Sequence, residues 1–287
     1  MTYHILYNPL SANGNGEEKA KNLSSIYTDT VYHDITKIDD YSSFFSALSA
    51  DEPVVLCGGD GTLNCFINNM EGIELDREIL YFASGTGNDF LHDLPDQSGD
   101  KPFPVNEYIK DLPTVNVKGK TYRFLNNVGF GIDGYCCEVG DAQKKKSDKP
   151  VNYTAIAIKG LLFHYKPTNA RITVDGKEYS FKKVWLAPTM KGRYYGGGMM
   201  ATPEQDRKNP DGTLSVMLFH GKGRLNTLMA FPSIFKGEHI KHTNMVTILT
   251  GKDIKVEFDN PAAVQVDGET ILGVTEYTAT ARVRAEV

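Results

Sequence analysis

The sequence lacks the features that mark four large classes of protein. Its 287 residues include only four cysteines, without Cys-x-x-Cys or Cys/His metal spacing, so neither a disulfide scaffold nor a zinc module is indicated. The formal net charge of -5 argues against a nucleic-acid polycation. The longest apolar-rich stretch, residues 153–165, contains Lys159 and falls short of the roughly 20 apolar residues that a membrane-spanning helix needs.

What is present is typical of a soluble globular protein, with 40% hydrophobic and 23% charged residues. The chain does not start with a charged segment followed by a long apolar core, so we expect no signal peptide. Together with the few cysteines, this predicts a reducing, cytoplasmic compartment. We expect no transmembrane segment and no nucleic-acid partner, and the only visible basic cluster is Lys144–Lys146 with Lys149.

The first hundred residues alternate between short apolar runs and helix-like segments. The runs predict buried strands, each followed by a polar or glycine-rich loop, at residues 3–8, 30–35, 53–57 and 78–83. This alternation is typical of a parallel sheet with helices on both faces. Ligand sites in such sheets lie beyond the carboxyl ends of the strands.

After about residue 112 the pattern changes to strands joined by turn signals. Asp-Gly pairs between alternating runs, at 175–176 and 267–268, are strong hairpin signals. One helix-like insert remains, at residues 224–240. We therefore predict an α/β domain at 1–112 and a mostly antiparallel β domain at 113–287, with a return of the C-terminal strand to the first domain left open.

A glycine-rich loop follows the third predicted strand, in the sequence Gly-Gly-Asp-Gly-Thr at 58–62. The glycines allow a sharp turn and a close approach to a ligand, and the N–H groups at the start of the following helix can cradle an anion. Asp60 would repel a phosphate unless a divalent cation bridged them, so the loop indicates metal-bound phosphate. The alternative is a tight strand-to-helix turn with an exposed acid.

A second loop of the same kind, residues 84–90, follows the next strand and brings Asn88 and Asp89 to a predicted helix start. Neighbouring parallel strands would place both loops at one edge of the sheet. Two other phosphate motifs are weaker. The Gly-Lys-Thr at 119–121 lacks the first glycine of a Walker loop, and the G-x-G-x-x-G at 129–134 lies in the β-rich half.

The Asp-Gly pair at Asp267 differs from the other four in the chain because Glu269 follows two residues later. The two carboxylates are within reach of one cation or one hydroxyl proton. A structural hairpin is the alternative for Asp267, and it is our prediction for Asp175. The loop at 196–214 adds Asp206 and Asp211.

Seven motifs, taken in order along nearly the whole chain, resemble those of one family. They are YNP, GGDGTLN, GTGNDF, YYGGGM, PDGTL, KGEHIKH and VQVDGE. This is the diacylglycerol kinase catalytic domain family, with related bacterial lipid kinases, sphingosine kinases and ceramide kinases, which share an NAD-kinase-like fold. The resemblance implies an N-terminal parallel α/β domain followed by an antiparallel β-sandwich. It also implies ATP between them and transfer of its γ-phosphate to a lipid hydroxyl.

Residue roles follow from the same resemblance. Asp267 would be the general base that accepts the proton of the lipid hydroxyl. The nucleotide would be lined by Asn8, Thr36, Gly58, Gly59, Thr62 and Thr86. A Mg²⁺ and water network would involve Asp60, Asp89, Asp211 and Glu269. The chain departs from its relatives at two positions: Asn13 replaces a basic residue, for which Lys19 is a substitute, and Asn116 replaces an aspartate.

The sequence therefore predicts an ATP-dependent lipid kinase, with diacylglycerol as the first choice of acceptor and phosphatidic acid as its product. A kinase of phosphatidylglycerol or a sphingoid base, and a nucleotide-binding regulatory protein without turnover, remain open. A kinase of NAD or a small alcohol is disfavoured by GTGNDF and VDGE. We expect peripheral membrane association through the lysines at 144–146 and the adjoining residues 153–165, and a homodimer is compatible with this reading.

Overall fold

The computed structural model describes residues 1–70, 72–73, 77–85, 87–147 and 151–282. Contacts divide the chain into two compact units, unit 1 at Met1–Asp111 and unit 2 at Leu112–Val287. Two residues singled out in the sequence, Thr86 and Lys149, lie outside the described residues. Within the described ranges, no helix combines the length and the apolar character needed to cross a bilayer.

Unit 1 is built on a single sheet in which the strand order is β2-β1-β3-β4-β5. The described strands are β1 (Tyr3–Tyr7), β2 (Thr30–Asp34), β3 (Val54–Gly58), β4 (Ile79–Ala83) and β5 (Phe103–Pro104). The first four are parallel and β5 is antiparallel to β4. All five residues of β3 are buried, as expected of a central parallel strand covered on both faces. The four strands predicted in this region are confirmed.

Short helices connect these strands. They are α1 (Ser11–Gly14), α2 (Gly16–Lys21), α3 (Tyr41–Ser46), α4 (Asp60–Asn69), α5 (Asp89–His92) and α6 (Asn106–Ile109), with 3-10 turns at Asn22–Ser25 and Ile35–Lys37. The start of α3 has an aspartate cap, because the Asp40 carboxylate accepts hydrogen bonds from the backbone N–H groups of Ser42 and Ser43.

The strand order places a topological switch point at the carboxyl edge of this sheet. The chain leaves β1 towards β2 on one side and returns to β3 on the other, so the connections diverge between β1 and β3. Such a divergence is the usual ligand position in open α/β sheets. Asn8, Thr36, Gly59 and Gly85 all follow the carboxyl ends of strands and share this edge.

Unit 2 is an antiparallel β-sandwich. Its described strands are β6 (Thr114–Val117), β7 (Lys120–Arg123), β8 (Asn127–Gly131), β9 (Thr168–Val174), β10 (Lys177–Val184), β11 (Leu186–Met190), β12 (Tyr194–Tyr195), β13 (Met199–Met200), β14 (Leu214–Phe219), β15 (Val246–Gly251), β16 (Asp253–Val266) and β17 (Glu269–Thr280). The long strand β16 belongs to both layers, since residues 254–258 pair with β9 and residues 264–266 pair with β8. Phe130 stacks on Phe258 between the layers, with ring centroids 3.5 Å apart. The last described strand, β17, pairs with β16 and β6 inside unit 2.

Helices cover the outer face of β8, β11 and β14. They are α7 (Ile132–Lys144), α8 (Tyr153–Lys159), a π-helix at Gly160–His164, α9 (Arg224–Ala230) and 3-10 turns at Phe231–Lys236 and Glu238–Lys241. The prediction of one helical insert is therefore wrong, because α7 and α8 are helical as well. Two glycines, which normally disfavour helix, are needed in α7. A Cβ atom at Gly134 would lie 2.0 Å from the Ala263 oxygen, and one at Gly140 would lie 2.6 Å from the Tyr153 ring.

Candidate active site

The two glycine-acid loops of unit 1 meet, as the sequence predicted. A Cβ atom at Gly85 would lie 2.4 Å from the Gly59 Cα, so only glycine allows the two backbones to come this close. The loops are also joined by a hydrogen bond, in which the Phe90 N–H donates to Asp60 Oδ2 at 3.1 Å. The two acidic loops therefore contact and stabilise each other at the carboxyl ends of β3 and β4.

The Gly-Gly-Asp-Gly-Thr segment forms the end of β3 and the first turn of α4. Gly59 is the N-cap of α4, and its carbonyl accepts hydrogen bonds from the N–H groups of Thr62 and Leu63. Thr62 is buried and packs against Gly58, where a Cβ atom would lie 2.5 Å from the Thr62 Cβ. The first N–H groups of a helix have no carbonyl partner within that helix, so they are available to an anion.

Asp89 begins α5 and is buried. The preceding residue, Asn88, has a left-handed backbone with φ of 24°, and its side-chain amide donates to the Gly85 oxygen at 2.9 Å. This bond ties the start of α5 to the end of β4. Asp60 and Asp89 are thus carried by two loops in direct contact.

Asn8 and Thr36 shape the turns after β1 and β2. The Asn8 Oδ1 accepts a hydrogen bond from the Leu10 N–H at 2.9 Å. The exposed Thr36 hydroxyl donates to Asp34 Oδ1 at 2.7 Å, and this bond is the main reason why the pKa of Asp34 lies below its usual value. Both predicted nucleotide residues are at the carboxyl edge of the sheet, with side chains that also stabilise their own loops.

The departure at Asn13 has a conformational explanation. Ala12, Asn13 and Gly14 all have positive φ, at 50°, 58° and 89°, and asparagine tolerates this left-handed region better than most residues do. Lys19, the predicted substitute, follows on α2. Burial raises the pKa of the Cys57 thiol, and the rise is partly offset by a hydrogen bond to Ser84 and, to a smaller extent, by the Lys19 ammonium. A positive charge therefore acts close to the end of β3 even though residue 13 is neutral.

Asp267 lies in the tight turn between β16 and β17, where Asp267 and Gly268 have φ of 45° and 94°. Its Oδ2 accepts a hydrogen bond from the Leu125 N–H at 2.5 Å. Its Oδ1 accepts from the N–H groups of Asn126 and Asn127 at 2.8 and 2.9 Å. Three backbone donors therefore hold the carboxylate in one orientation.

The turn at Asp175, which the sequence predicts to be a structural hairpin, is held in a similar way, by backbone N–H groups that donate to its aspartate. Asp175 and Gly176 have φ of 47° and 81°. The Asp175 Oδ1 accepts hydrogen bonds from the N–H groups of Lys252 and Asp253, both at 2.8 Å. Backbone geometry alone does not distinguish the two aspartates, so any special role of Asp267 depends on its surroundings.

Arg207 is a buried residue of these surroundings that the sequence did not single out. Its guanidinium donates to the Leu125 oxygen at 2.5 Å and to Asn126 Oδ1 at 2.7 Å. The segment that donates N–H groups to Asp267 is thus anchored from its other side. No pattern marks Arg207 in the sequence, apart from its place in the loop at 196–214.

The acids of that loop lie in surface turns. The exposed Asp206 accepts a hydrogen bond from the Lys208 N–H at 2.8 Å. Asp211 is also exposed, and its backbone N–H donates to Asn209 Oδ1 at 2.8 Å. Glu269, the first residue of β17, is exposed and lies two residues after Asp267. Asp211 and Glu269 are therefore accessible carboxylates of unit 2.

The four predicted metal ligands are divided between the units, with Asp60 and Asp89 in unit 1 and Asp211 and Glu269 in unit 2. Among the described residues, no group of three or more His, Cys, Asp or Glu side chains is close enough to hold a metal. The donors are all carboxylate oxygens, which suit Mg²⁺. Each acid taken singly therefore has the donor chemistry that the ion prefers.

Asn116, the second departure, has a structural role in the β6–β7 turn. Its Oδ1 accepts a hydrogen bond from the Gly119 N–H at 3.3 Å, and its Nδ2 donates to the Thr121 hydroxyl at 3.3 Å. Asn116 pairs with Thr278, which lies at the opposite end of β17 from Glu269. An aspartate at position 116 would thus not stand beside Glu269.

Asp133 is, after Arg207, a second buried residue that the sequence analysis did not select. It lies in the G-x-G-x-x-G motif at 129–134, which was considered weak as a phosphate motif. Burial raises its pKa from 3.8 to about 6. A Cβ atom at Gly129 would lie 1.8 Å from Asp133 Oδ2 and 2.7 Å from Gln265 Nε2, so the acid and the amide share a tight space. Gln265 Oε1 in turn accepts from the Gly268 N–H at 2.7 Å. A buried polar link therefore joins α7 to the turn that carries Asp267.

We expect Asp133→Asn to stabilise the protein at neutral pH. Because the pKa of Asp133 is raised in the folded protein, folding favours the protonated carboxyl over the carboxylate. The contribution of Asp133 to the free energy of unfolding is therefore present below about pH 4 and is lost as pH rises to about 6. The full shift corresponds to about 3 kcal/mol. The gain should therefore grow across this window in urea unfolding curves measured at several pH values. Asp141→Asn, which removes a less buried acid from the same helix, is the control for the loss of one negative charge from α7.

Comparison with known families agrees with this architecture in both units. Residues 2–112 match the diacylglycerol kinase catalytic domain, and residues 126–285 match the YegS C-terminal NAD kinase beta sandwich-like domain. The predicted fold class, a parallel α/β domain followed by an NAD-kinase-like β-sandwich, is confirmed. The chain belongs to the diacylglycerol kinase catalytic domain family of lipid kinases.

Individual relatives are similar over most of the chain. "Putative lipid kinase YtlR" of Bacillus subtilis is 25% identical over 78% of this chain and 75% of its own length. A protein named "Diacylglycerol kinase" from Mycobacterium tuberculosis is 25% identical over 72% of this chain and 67% of its own. A Staphylococcus aureus relative named "Putative lipid kinase SaurJH9_0749" is 29% identical over 76% and 70%.

A solved structure supports the fold. The crystal structure described as that of a "putative diacylglycerol kinase" from Bacillus anthracis superposes with a TM-score of 0.67, at 20% identity, over 97% of this chain and 91% of that one. At this identity the likeness bears on the fold alone.

Proposed function

We propose that the protein is an ATP-dependent lipid kinase that transfers the γ-phosphate to a lipid hydroxyl, with diacylglycerol as the acceptor and phosphatidic acid as the product. One observation carries the proposal: two glycine-acid loops touch at the carboxyl edge of the unit 1 sheet, with Gly59 against Gly85 and Asp60 bonded to the Phe90 N–H. Membership in a lipid kinase family supports the choice of acceptor class.

The loops of unit 1 would bind the nucleotide. Backbone N–H groups at the start of α4 would contact phosphate oxygens, since they have no partner within the helix. Asn8, Thr36, Thr62 and Thr86 are the proposed nucleotide side chains. Asp60, Asp89, Asp211 and Glu269 would hold Mg²⁺, which neutralises phosphate charge when it is bound.

Asp267 would act on the acceptor. Its three backbone donors hold the carboxylate in one orientation, and a carboxylate is a group that can accept the proton of a hydroxyl. In the proposed reaction the lipid oxygen attacks the γ-phosphorus, its proton passes to Asp267, and the bond to the ADP oxygen breaks. A positioned base contributes about 10² to 10⁴ in rate.

The test is an acceptor panel. The purified protein is incubated with ATP labelled at the γ-phosphate and with mixed micelles of diacylglycerol, phosphatidylglycerol or sphingosine, and lipid products are extracted and counted. We expect label in phosphatidic acid above the other products. Label only in another phospholipid would reject diacylglycerol, and ATP binding without any transfer would favour a regulatory protein.

The metal assignment makes a separate prediction. Excess chelator should abolish transfer, and added Mg²⁺ should restore it. Asp211→Ala should lower turnover at least about tenfold with little change in melting temperature, because an exposed loop acid contributes little to packing. Asp206→Ala, an exposed acid of the same loop, is the matched control and should keep activity. Full activity in chelator, or equal effects of the two substitutions, would reject the assignment.

A further inference from the structure

Large apolar side chains are exposed on two segments of unit 2. Phe163 in the π-helix is 71% exposed, and Leu225 and Met229 of α9 are 70% and 74% exposed. Leu225 and Met229 are four residues apart, so they lie on the same side of the helix. Ile158 and Phe235 add two more partly exposed apolar side chains. We call these five residues the apolar face.

The two segments are in contact and are firmly attached to the core. The Arg224 guanidinium donates to the Leu161 oxygen at 2.8 Å, which joins the start of α9 to the π-helix. On the opposite side of these helices, Leu161, Thr227 and Ile234 are completely or almost completely buried. The apolar face is therefore the outer surface of a packed layer, with its side chains directed away from the core.

The two segments that carry the apolar face contain basic residues and no acids, although Glu238 follows the second segment directly. Residues 151–166 and 220–237 contain no aspartate or glutamate, although the chain as a whole has 36 acids and a net charge of -5. The two segments carry the basic residues Lys159, Lys166, Lys222, Arg224 and Lys236. Exposed apolar side chains on segments that also carry cations are complementary to a surface with an apolar interior and anionic head groups.

We propose that the apolar face docks the protein on an anionic lipid bilayer. The proposal rests on the proposed function, because a kinase whose acceptor is a membrane lipid must reach the bilayer surface. Apolar side chains would enter the acyl boundary, and each cation near the surface would contribute about 1 kcal/mol. A second copy of this chain fits less well, since a two-fold contact would bring the same cations together.

This surface overlaps in part with the one that the sequence suggested, because Ile158 and Phe163 belong to residues 153–165. Lys144 lies 3.7 Å from the Asp141 carboxylate, so part of its charge is compensated. In the adjoining apolar stretch Ile156 and Leu161 are buried in the core, and Ile158 is the aliphatic residue that is exposed. The apolar contribution to docking therefore comes mainly from α9 and Phe163.

The experiment is co-sedimentation with vesicles of phosphatidylcholine alone or mixed with phosphatidylglycerol, which requires no turnover. The double variant Leu225→Ser/Met229→Ser should bind mixed vesicles at least about tenfold more weakly, since two apolar side chains are no longer buried. Lys222→Gln/Lys236→Gln should weaken binding to mixed vesicles and reduce its salt dependence. Melting curves establish that each variant is folded.

Two matched controls carry the comparison. Leu272→Ser removes a leucine that is 55% exposed on β17, and Lys144→Gln/Lys145→Gln/Lys146→Gln removes the basic run. Both should bind like the parent protein. Unchanged binding of the Leu225→Ser/Met229→Ser variant, or an equal loss in Leu272→Ser, would overturn the proposal.

Sedimentation velocity and activity separate the remaining explanations. If the parent is a dimer that Leu225→Ser/Met229→Ser converts to a monomer without a change in vesicle binding, the apolar face is a protein interface and the proposal is wrong. With a short-chain diacylglycerol dispersed below its micellar concentration, the folded double variant should keep parental activity. Vesicle binding by a parent protein that transfers no phosphate would reject the kinase while leaving the docking face intact.

Discussion

Turnover is expected to fall at least about a hundredfold when Asp267 is replaced by asparagine, because an amide cannot accept the hydroxyl proton. The substitution also has a structural cost. The asparagine NH2 group would face a backbone donor of residues 125–127 in place of a carboxylate oxygen, and losing such a bond costs about 1 to 3 kcal/mol. The measurement is steady-state transfer with saturating ATP, alongside urea unfolding.

Asp175→Asn separates these two effects. Its turn has the same left-handed backbone. Both N–H groups that bind Asp175 donate to the single oxygen Oδ1, which an asparagine retains, so its structural loss should be no larger than that at Asp267. Its turnover should remain close to that of the parent protein. If both variants lose activity to the same extent, the effect at Asp267 is structural and the assignment of Asp267 as the base is wrong.

A second large effect is expected for Gly85→Ala. The new methyl group would lie 2.4 Å from the Gly59 Cα, and the clash is with backbone, so no side chain can move aside to relieve it. The two loops must separate, with a loss of about 1 to 3 kcal/mol in stability. ATP affinity should fall more than about tenfold, because the cradle depends on both loops being in place. Titration with a fluorescent ATP analogue and a melting curve measure the two effects.

Gly61→Ala is the control for this change. Gly61 lies in the same loop, and a Cβ atom there would meet nothing within 4 Å, so the ligand-free protein should be as stable as the parent or slightly more so. Equal melting temperatures and equal ATP affinities for Gly85→Ala and the parent would show that contact between the loops is not required.

The order of strands and helices in unit 1 can be predicted from the sequence because buried parallel strands are short, continuous apolar runs. The run that becomes β3 ends in glycines, and the loop that contains Gly85 follows the adjacent strand. Once a parallel sheet is assumed, the meeting of the two loops follows from strand adjacency. The turn at Asp267 was equally visible, since Asp-Gly favours two consecutive positive φ values.

Other features depend on contacts between distant parts of the chain and have no local signal. Arg207 is 82 residues from Leu125, whose carbonyl it binds. Asp133 is buried because α7 packs on β16, and α7 itself was missed because its glycines lower helix propensity while allowing close packing. Such residues become recognisable only when the tertiary structure brings their partners together.

The central claim is that the protein moves the γ-phosphate of ATP to a lipid hydroxyl at Asp267. The most direct measurement follows label from the γ-phosphate into organic-extractable lipid, with diacylglycerol in mixed micelles, for the parent protein, Asp267→Asn and Asp175→Asn at equal concentrations. We predict labelled phosphatidic acid from the parent and from Asp175→Asn, and at least about a hundredfold less from Asp267→Asn. Labelled lipid formed equally by all three proteins, or by none of them, would contradict the account.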